Sequence, residues 1–455
     1  MNTALLYLLM TPALAIPLDE GAAVELRYSG TLEPTGRDAT GTPVKRFSCF
    51  CLLKKTEIGG HDLSFVIEER GGSGWAWPER FGRIRFDRSG VPGGVLRIKI
   101  LHKHNGTFYP LEFQQPLFEF TNQIQDGAKW NSGRYSYRVG TTKKIGNYTC
   151  REIIVSTNFG RAHTIWVDVE SPLVVKAVQR VVIGQGEIFR LTTELDTIKP
   201  IDENKLAVLA LPLDALLTLK QDLGRKPDET QRELNESQIK SVSSAIEQLT
   251  KDADSTPFSR LVSSIRRDVK LQIERSEGVA GLVKRYTGQK SSEITLKSLS
   301  GNTIESKEHD GKIVLLHFWK YNAEPLREPY GQVGYLDFLN SRRRKLGVKV
   351  YGVAIDPRLT DKGTYSSAIR DIRKLTQFMN LSYSVTADDG TLLRKFGDPR
   401  RVGAELPLWV LVSADGKIAH YKVGFYDIKP DEGLKQLDAE VVKLIRQQRA
   451  SEKKK

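Results

Sequence analysis

Few residues in this chain of 455 have the types and spacing that chemistry needs. The three cysteines, Cys49, Cys51 and Cys150, include no Cys-x-x-Cys pair, so neither a dithiol redox motif nor a cysteine zinc knuckle is available. Cys49 and Cys51 lie two apart in a strand-like run and point to one face. Either could meet Cys150 from another strand as a disulfide, and buried apolar thiols are the equal alternative. His102 and His104 share one expected strand face and could be two metal ligands. No third ligand follows nearby, which favours two surface histidines and no metal or cofactor. The stretch HFWKYNAEPLREPY, His317 to Tyr330, follows the apolar run KIVLL as a strand that turns abruptly into a helix. Many enzymes keep a nucleophile at such a junction, yet Phe318 to Pro329 contains no cysteine, serine or histidine. Glu324 and Glu328 stand one helical turn apart, beside Arg327 and near Tyr321 and His317. Acidic residues in a first helical turn are also the ordinary answer to the helix dipole, and a histidine in a buried strand reads as core. No catalytic residue is therefore assigned there.

These residues need elements to hold them. Apolar content of 39% and charged content of 27% are those of ordinary globular protein, and the length suggests about three domains. The net charge of +14 is spread among acidic neighbours, apart from RRRK at Arg342 to Lys345 and the tail Lys453 to Lys455. No readout motif accompanies these runs, so nucleic acid is not an expected partner. Residues 1–15, MNTALLYLLMTPALA, resemble a cleaved secretory signal without a basic start. The expected location is therefore periplasmic or extracellular, with no transmembrane span in the mature chain. Residues 20–200 alternate apolar and polar positions in short runs punctuated by Gly, Pro and Asn, with turns at HNG and IGG. This predicts an antiparallel β-rich meander, curved or half-barrel-like. Its pattern faintly resembles exported carriers of lipids or lipoproteins, so a lipid or small apolar ligand is one expectation. Trp75 and Trp77 stand in the glycine-rich GGSGWAWPERFG, either to grip a ligand or, as the better reading, folded back as a plug. Residues 201–290 change to helical periodicity and predict a spacer. From 291 to 450 strands alternate with helices, predicting an α/β/α domain. The SADGK turn makes its last two strands antiparallel, so the sheet is mixed.

The last third carries DGKIVLLHFW, EPLREP, VYGVAID, YSVTADDGTLLRKFGD and ELPLWVLVSADGKIAHYKVG in that order. This succession resembles the thioredoxin-fold domains of the TlpA-like and AhpC/TSA (redoxin) group. The resemblance places the two redox cysteines on Ala323 and Leu326, with Trp319 before the pair and Arg327 after it. A helix N-terminus stabilises a thiolate, and exchange needs a second thiol to resolve the mixed disulfide. Ala323 and Leu326 can do neither. The resemblance further implies a cis-proline at Pro407, whose preceding residue, Leu406, would pair with an extended substrate chain. The leading expectation is thus an exported protein with a redox-inactive thioredoxin-like domain, binding or scaffolding an exported or envelope protein or peptide. A thiol–disulfide oxidoreductase or peroxidase of the same group is the alternative.

Overall fold

The computed structural model describes residues 23–36, 42–56, 60–70, 75–86, 98–104, 107–184, 186–224, 233–321, 332–426, 428 and 432–452. The expected leader, residues 1–15, lies outside them. The chain divides into two compact units, Met1–Lys270 and Leu271–Lys455.

The first unit is built on strands β1 (Ala23–Pro34), β2 (Lys45–Lys55), β3 (His61–Arg70) and β4 (Phe81–Phe86), followed by a hairpin of β5 (Lys99–His104) and β6 (Thr107–Glu112). Next come β7 (Lys129–Ser132), β8 (Tyr135–Ile145), β9 (Tyr148–Thr157), β10 (Gly160–Asp168), β11 (Val174–Ile183) and β12 (Glu187–Ile201). Ten of these strands form one antiparallel sheet in the order β4-β3-β2-β1-β12-β11-β10-β9-β8-β7. Two meanders are thus joined where β1 pairs with β12, from Ala23 opposite Ile201 to Pro34 opposite Phe189. Alternation decides the faces. Leu26, Tyr28 and Leu32 of β1 share a core with Phe47, Cys49, Cys51 and Leu53 of β2, and the β5–β6 hairpin adds Ile100 and Leu111 to it. At Gly30 a Cβ would come within 2.1 Å of the Phe47 ring, so the ring lies across the β1 backbone and no larger residue fits.

The other side of this sheet meets helices. Asp202 caps α1 (Glu203–Asp222) by accepting from the Lys205 amide at 2.7 Å, and Asn235 and Gln238 form a capping box on α2 (Glu236–Asp252). Lys205 and Arg27 both contact the buried Glu25 carboxylate, at 2.9 and 2.5 Å. Burial alone would raise its pKa, but these two cations hold it below the usual carboxylate value. Phe258 packs edge-on against Phe50 with ring centroids 5.4 Å apart, and Arg83 pairs with Asp214 at 2.6 Å. The helical stretch expected as a spacer therefore packs, up to residue 270, on the sheet. The unit boundary falls within α3 (Ser259–Tyr286).

The second unit opens with the short pair β13 (Leu296–Lys297) and β14 (Thr303–Ile304). Its sheet comprises β15 (Ile313–Lys320), β16 (Val348–Ile355), β17 (Ser384–Asp388), β18 (Leu408–Val412) and β19 (Ile418–Val423) in the order β17-β16-β15-β18-β19. The first three run parallel, and β18 and β19 are antiparallel, as the SADGK turn requires. Helices α4 (Val333–Arg343), α5 (Lys362–Phe378), α6 (Thr391–Lys395) and α7 (Lys435–Glu452) complete the unit. β15 is buried on both faces. Ile313, Leu315 and Trp319 join Leu336 of α4 and Leu437 of α7, whereas Val314, Leu316 and Phe318 join Leu392 and Leu393 of α6. No helix among the described residues is long and apolar enough to cross a membrane.

Candidate functional site

Of the residues singled out in the first unit, all but His104 are buried. Trp75 and Trp77 are 2% and 5% exposed, so neither stands free on a loop to grip a ring. The Trp75 indole N–H donates to His102 Nδ1 at 3.2 Å, and that of Trp77 to Asp268 at 2.9 Å. His102 is 4% exposed and is no surface histidine. The β5–β6 hairpin lies over the sheet, so Ile98, Ile100 and His102 alternate inward together. Burial, helped by Lys45 and His104, lowers the His102 pKa to about 4. His104 is only half-buried and contacts Glu187 at 2.8 Å. Among the described residues no group of three or more His, Cys, Asp or Glu side chains could hold a metal ion.

Cys49, Cys51 and Cys150 are free thiols, buried in the core of the sheet. The Cys49 and Cys51 sulfurs lie 3.5 Å apart on one face of β2. Hydrogen bonding with Cys49 and then burial push the Cys51 thiol well above its ordinary pKa, and burial raises Cys150 to about 11. A thiol in such surroundings carries almost no thiolate at neutral pH, which is the form that attacks disulfides and peroxides.

In the second unit, Ala323, Leu326 and Arg327, with Glu324 and Glu328, lie outside the described residues. The structure defines what flanks them. β15 delivers Trp319, which is 6% exposed and whose indole N–H has no hydrogen-bond partner among the described residues. Tyr321 follows, its amide donating to the Ile355 carbonyl at 3.0 Å and its ring under Arg358 at 5.7 Å. Arg358 is held by Asp356 and Asp371 at 2.7 and 2.8 Å, and these hydrogen bonds raise its already high pKa further. On the far side of the gap, Gln332 is fully buried and clamps the backbone of Tyr426. Its Oε1 accepts from the Tyr426 amide at 2.9 Å, and its Nε2 donates to the Tyr426 carbonyl.

Leu406 and Pro407 precede β18, and the peptide bond between them is cis. Phe318 pairs with Leu408 and His317 with Trp409, so the same register carried one step further sets Trp319 opposite Pro407. The Pro407 carbonyl accepts from the Gly424 amide at 2.8 Å. No hydrogen bond engages the Leu406 N–H or carbonyl among the described residues. Leu406 and Pro407 are both buried, so this edge is not an open groove.

Sequence reasoning missed the aromatic stack beneath these residues. His317 is fully buried and lies flat on Trp409, with ring centroids 3.7 Å apart. Trp409 donates its N–H to the Gly424 carbonyl at 3.2 Å and meets Tyr426 edge-on at 5.3 Å. The Tyr426 hydroxyl hydrogen-bonds His420 Nε2 at 2.8 Å, and Lys422 lies 4.6 Å from the Tyr426 ring centre. Burial lowers the His420 pKa and raises that of Tyr426. The only sequence signal was positional: Trp409, His420 and Tyr426 sit on strands and a turn that read as plain scaffold.

Residues 287–421 match the AhpC/TSA family. No curated protein matches the chain. Among solved structures, similarity extends to a thiol:disulfide interchange protein from Bacteroides sp., 21% identical over 35% of this chain and 90% of that one, with a TM-score of 0.27. A secreted Mycobacterium tuberculosis disulfide oxidoreductase homologous to E. coli DsbE is 19% identical over 33% of this chain and 96% of its own, with a TM-score of 0.25. A thioredoxin family thiol:disulfide interchange protein from Chlorobium tepidum TLS is 13% identical over 35% and 97% of the two chains, with a TM-score of 0.27. The family match and the mixed five-stranded sheet together identify residues 287–421 as a thioredoxin-like domain of the AhpC/TSA group, in a chain whose cysteines are all elsewhere.

Proposed function

We propose that the C-terminal domain is a redox-inactive protein-interaction module in an exported protein, and that it binds or scaffolds an exported or envelope protein or peptide. The observation that carries this reading is the state of the sulfur. The three cysteines of the chain lie on strands of the first unit, all buried, with the thiols of Cys51 and Cys150 pushed towards the protonated form. The backbone of Leu406, which has no hydrogen bond among the described residues, supports docking of an extended chain by strand addition, through main-chain hydrogen bonds alone. Because Leu406 and Pro407 are buried, such docking requires their cover to move aside.

The test is an assay of the purified full chain for insulin-disulfide reduction and for peroxide turnover. Neither should exceed the background, and an Ellman titration should find no fast-reacting thiol before denaturation. Turnover by the parent protein would overturn the reading. The family match favours a second reading, a thiol–disulfide oxidoreductase or peroxidase that borrows Cys49, Cys51 or Cys150. A Cys49→Ala/Cys51→Ala/Cys150→Ala variant that matched the parent in both assays would end it.

A further inference from the structure

The first unit contains a cavity of about 290 Å³ between the segment after β6 and the inner ends of β8 to β11. Its floor is apolar, made by Phe118 with Val155, Ile165 and Val181. Its rim carries Arg134 and Arg180, both exposed. Arg134 donates to the Tyr135 hydroxyl at 3.0 Å and lies over that ring; this hydrogen bond, and more weakly the Glu112 charge, raise its pKa, but neither arginine forms a close ion pair with a carboxylate among the described residues. The two acidic lining residues, Glu112 and Glu119, have interactions of their own.

Gln115, which is 8% exposed, also lines the cavity. The site thus offers an apolar surface, the polar side chain of Gln115 and two guanidinium groups, of which that of Arg134 also holds the Tyr135 hydroxyl. Guanidinium pairs with carboxylate in a bidentate fork, which an ammonium or an alcohol cannot match.

We propose that this cavity binds a small amphipathic carboxylate, with its anionic end at Arg134 and Arg180 and its alkyl or aryl end on Phe118, Val155, Ile165 and Val181. The inference stands apart from the redox reading of the C-terminal domain, because every residue it uses lies in the first unit.

Isothermal titration of the full chain with sodium decanoate, below its micellar range, tests this directly. One saturable site is expected, and decyltrimethylammonium, with the same tail and opposite charge, should bind at least about tenfold more weakly. An Arg134→Ala/Arg180→Ala variant should lose about tenfold or more in affinity with an unchanged melting curve. Val155→Phe should abolish binding by filling the floor. If that variant does not fold, the arginine pair, which is exposed, decides the matter. Absence of saturable decanoate binding, equal binding of the cation, or unchanged affinity in the folded double-arginine variant would each overturn the proposal.

Discussion

The two units divide what a thiol enzyme must combine. The first holds every cysteine of the chain, on strands and buried, and the surroundings of Cys51 and Cys150 favour the protonated thiol. The second has the thioredoxin-like sheet and contains no cysteine. A strand interior provides packing but no free N–H groups, whereas a helix start provides positive potential, and the family resemblance sets Ala323 and Leu326 where its redox cysteines would stand. Reactivity belongs to the pairing of residue and setting, and this chain has both parts in different places.

The most severe way to break that comparison is to reunite them. An Ala323→Cys/Leu326→Cys variant should reduce insulin disulfides at least about a hundredfold above the parent background, since it puts thiols at the two positions that the resemblance assigns to redox cysteines. A silent variant would mean that the setting has been lost along with the sulfur. Next in size, Trp409→Ala should cost about 3–5 kcal/mol in denaturant unfolding. Trp409 is fully buried between His317 and Tyr426, and its removal leaves the Gly424 carbonyl without its donor.

The histidine–tryptophan pairs sharpen the contrast further. In the first unit His102 accepts from Trp75 through Nδ1, so the ring must be neutral for the bond to exist. Its pKa of about 4 lies below the ordinary 6.5, so folding prefers the unprotonated form. That contribution is complete above about pH 6.5 and is lost as pH falls towards 4, with a full loss of roughly 3 kcal/mol at about 1.36 kcal/mol per unit. Chemical denaturation between pH 7 and 4 should show this slope, and His102→Gln should flatten it. The smallest expected effect is that of Gln332→Ala. It removes two hydrogen bonds to the Tyr426 backbone and should cost roughly 1–3 kcal/mol by the same measurement.

Much of the second unit was legible because its signals are local. VKVYGVAI and LWVLV are too apolar for a solvated face, and SADGK brings β19 back beside β18 through a turn closed by Ser413 and Lys417, 2.8 Å apart. The large antiparallel sheet was legible as a class, since β1 to β4 and β7 to β12 each follow in sequence order. Its decisive seam was not. β1 and β12 are separated by most of the unit, and their register rests on which residues face the core, a property of the assembled sheet. His102 was misread for the same reason. Alternation shows that His102 and His104 share a face, but only the docked hairpin decides how deeply each is buried. The helices after residue 201 read as a spacer because α1 is apolar nearly all round, so no stripe announces the sheet beneath it.

The clamp of Gln332 on Tyr426 bears on how such a chain can arise. Tyr321 is fixed by Ile355 and Gln332 by Tyr426, so residues on both sides of the stretch from 322 to 331 are anchored by contacts that do not involve it. Selection for the fold acts on those anchors. Those anchors do not include residues 323 and 326, so a substitution at either position leaves the contacts that hold Tyr321 and Gln332 in place, and the sheet can be kept whatever chemistry those two positions carry.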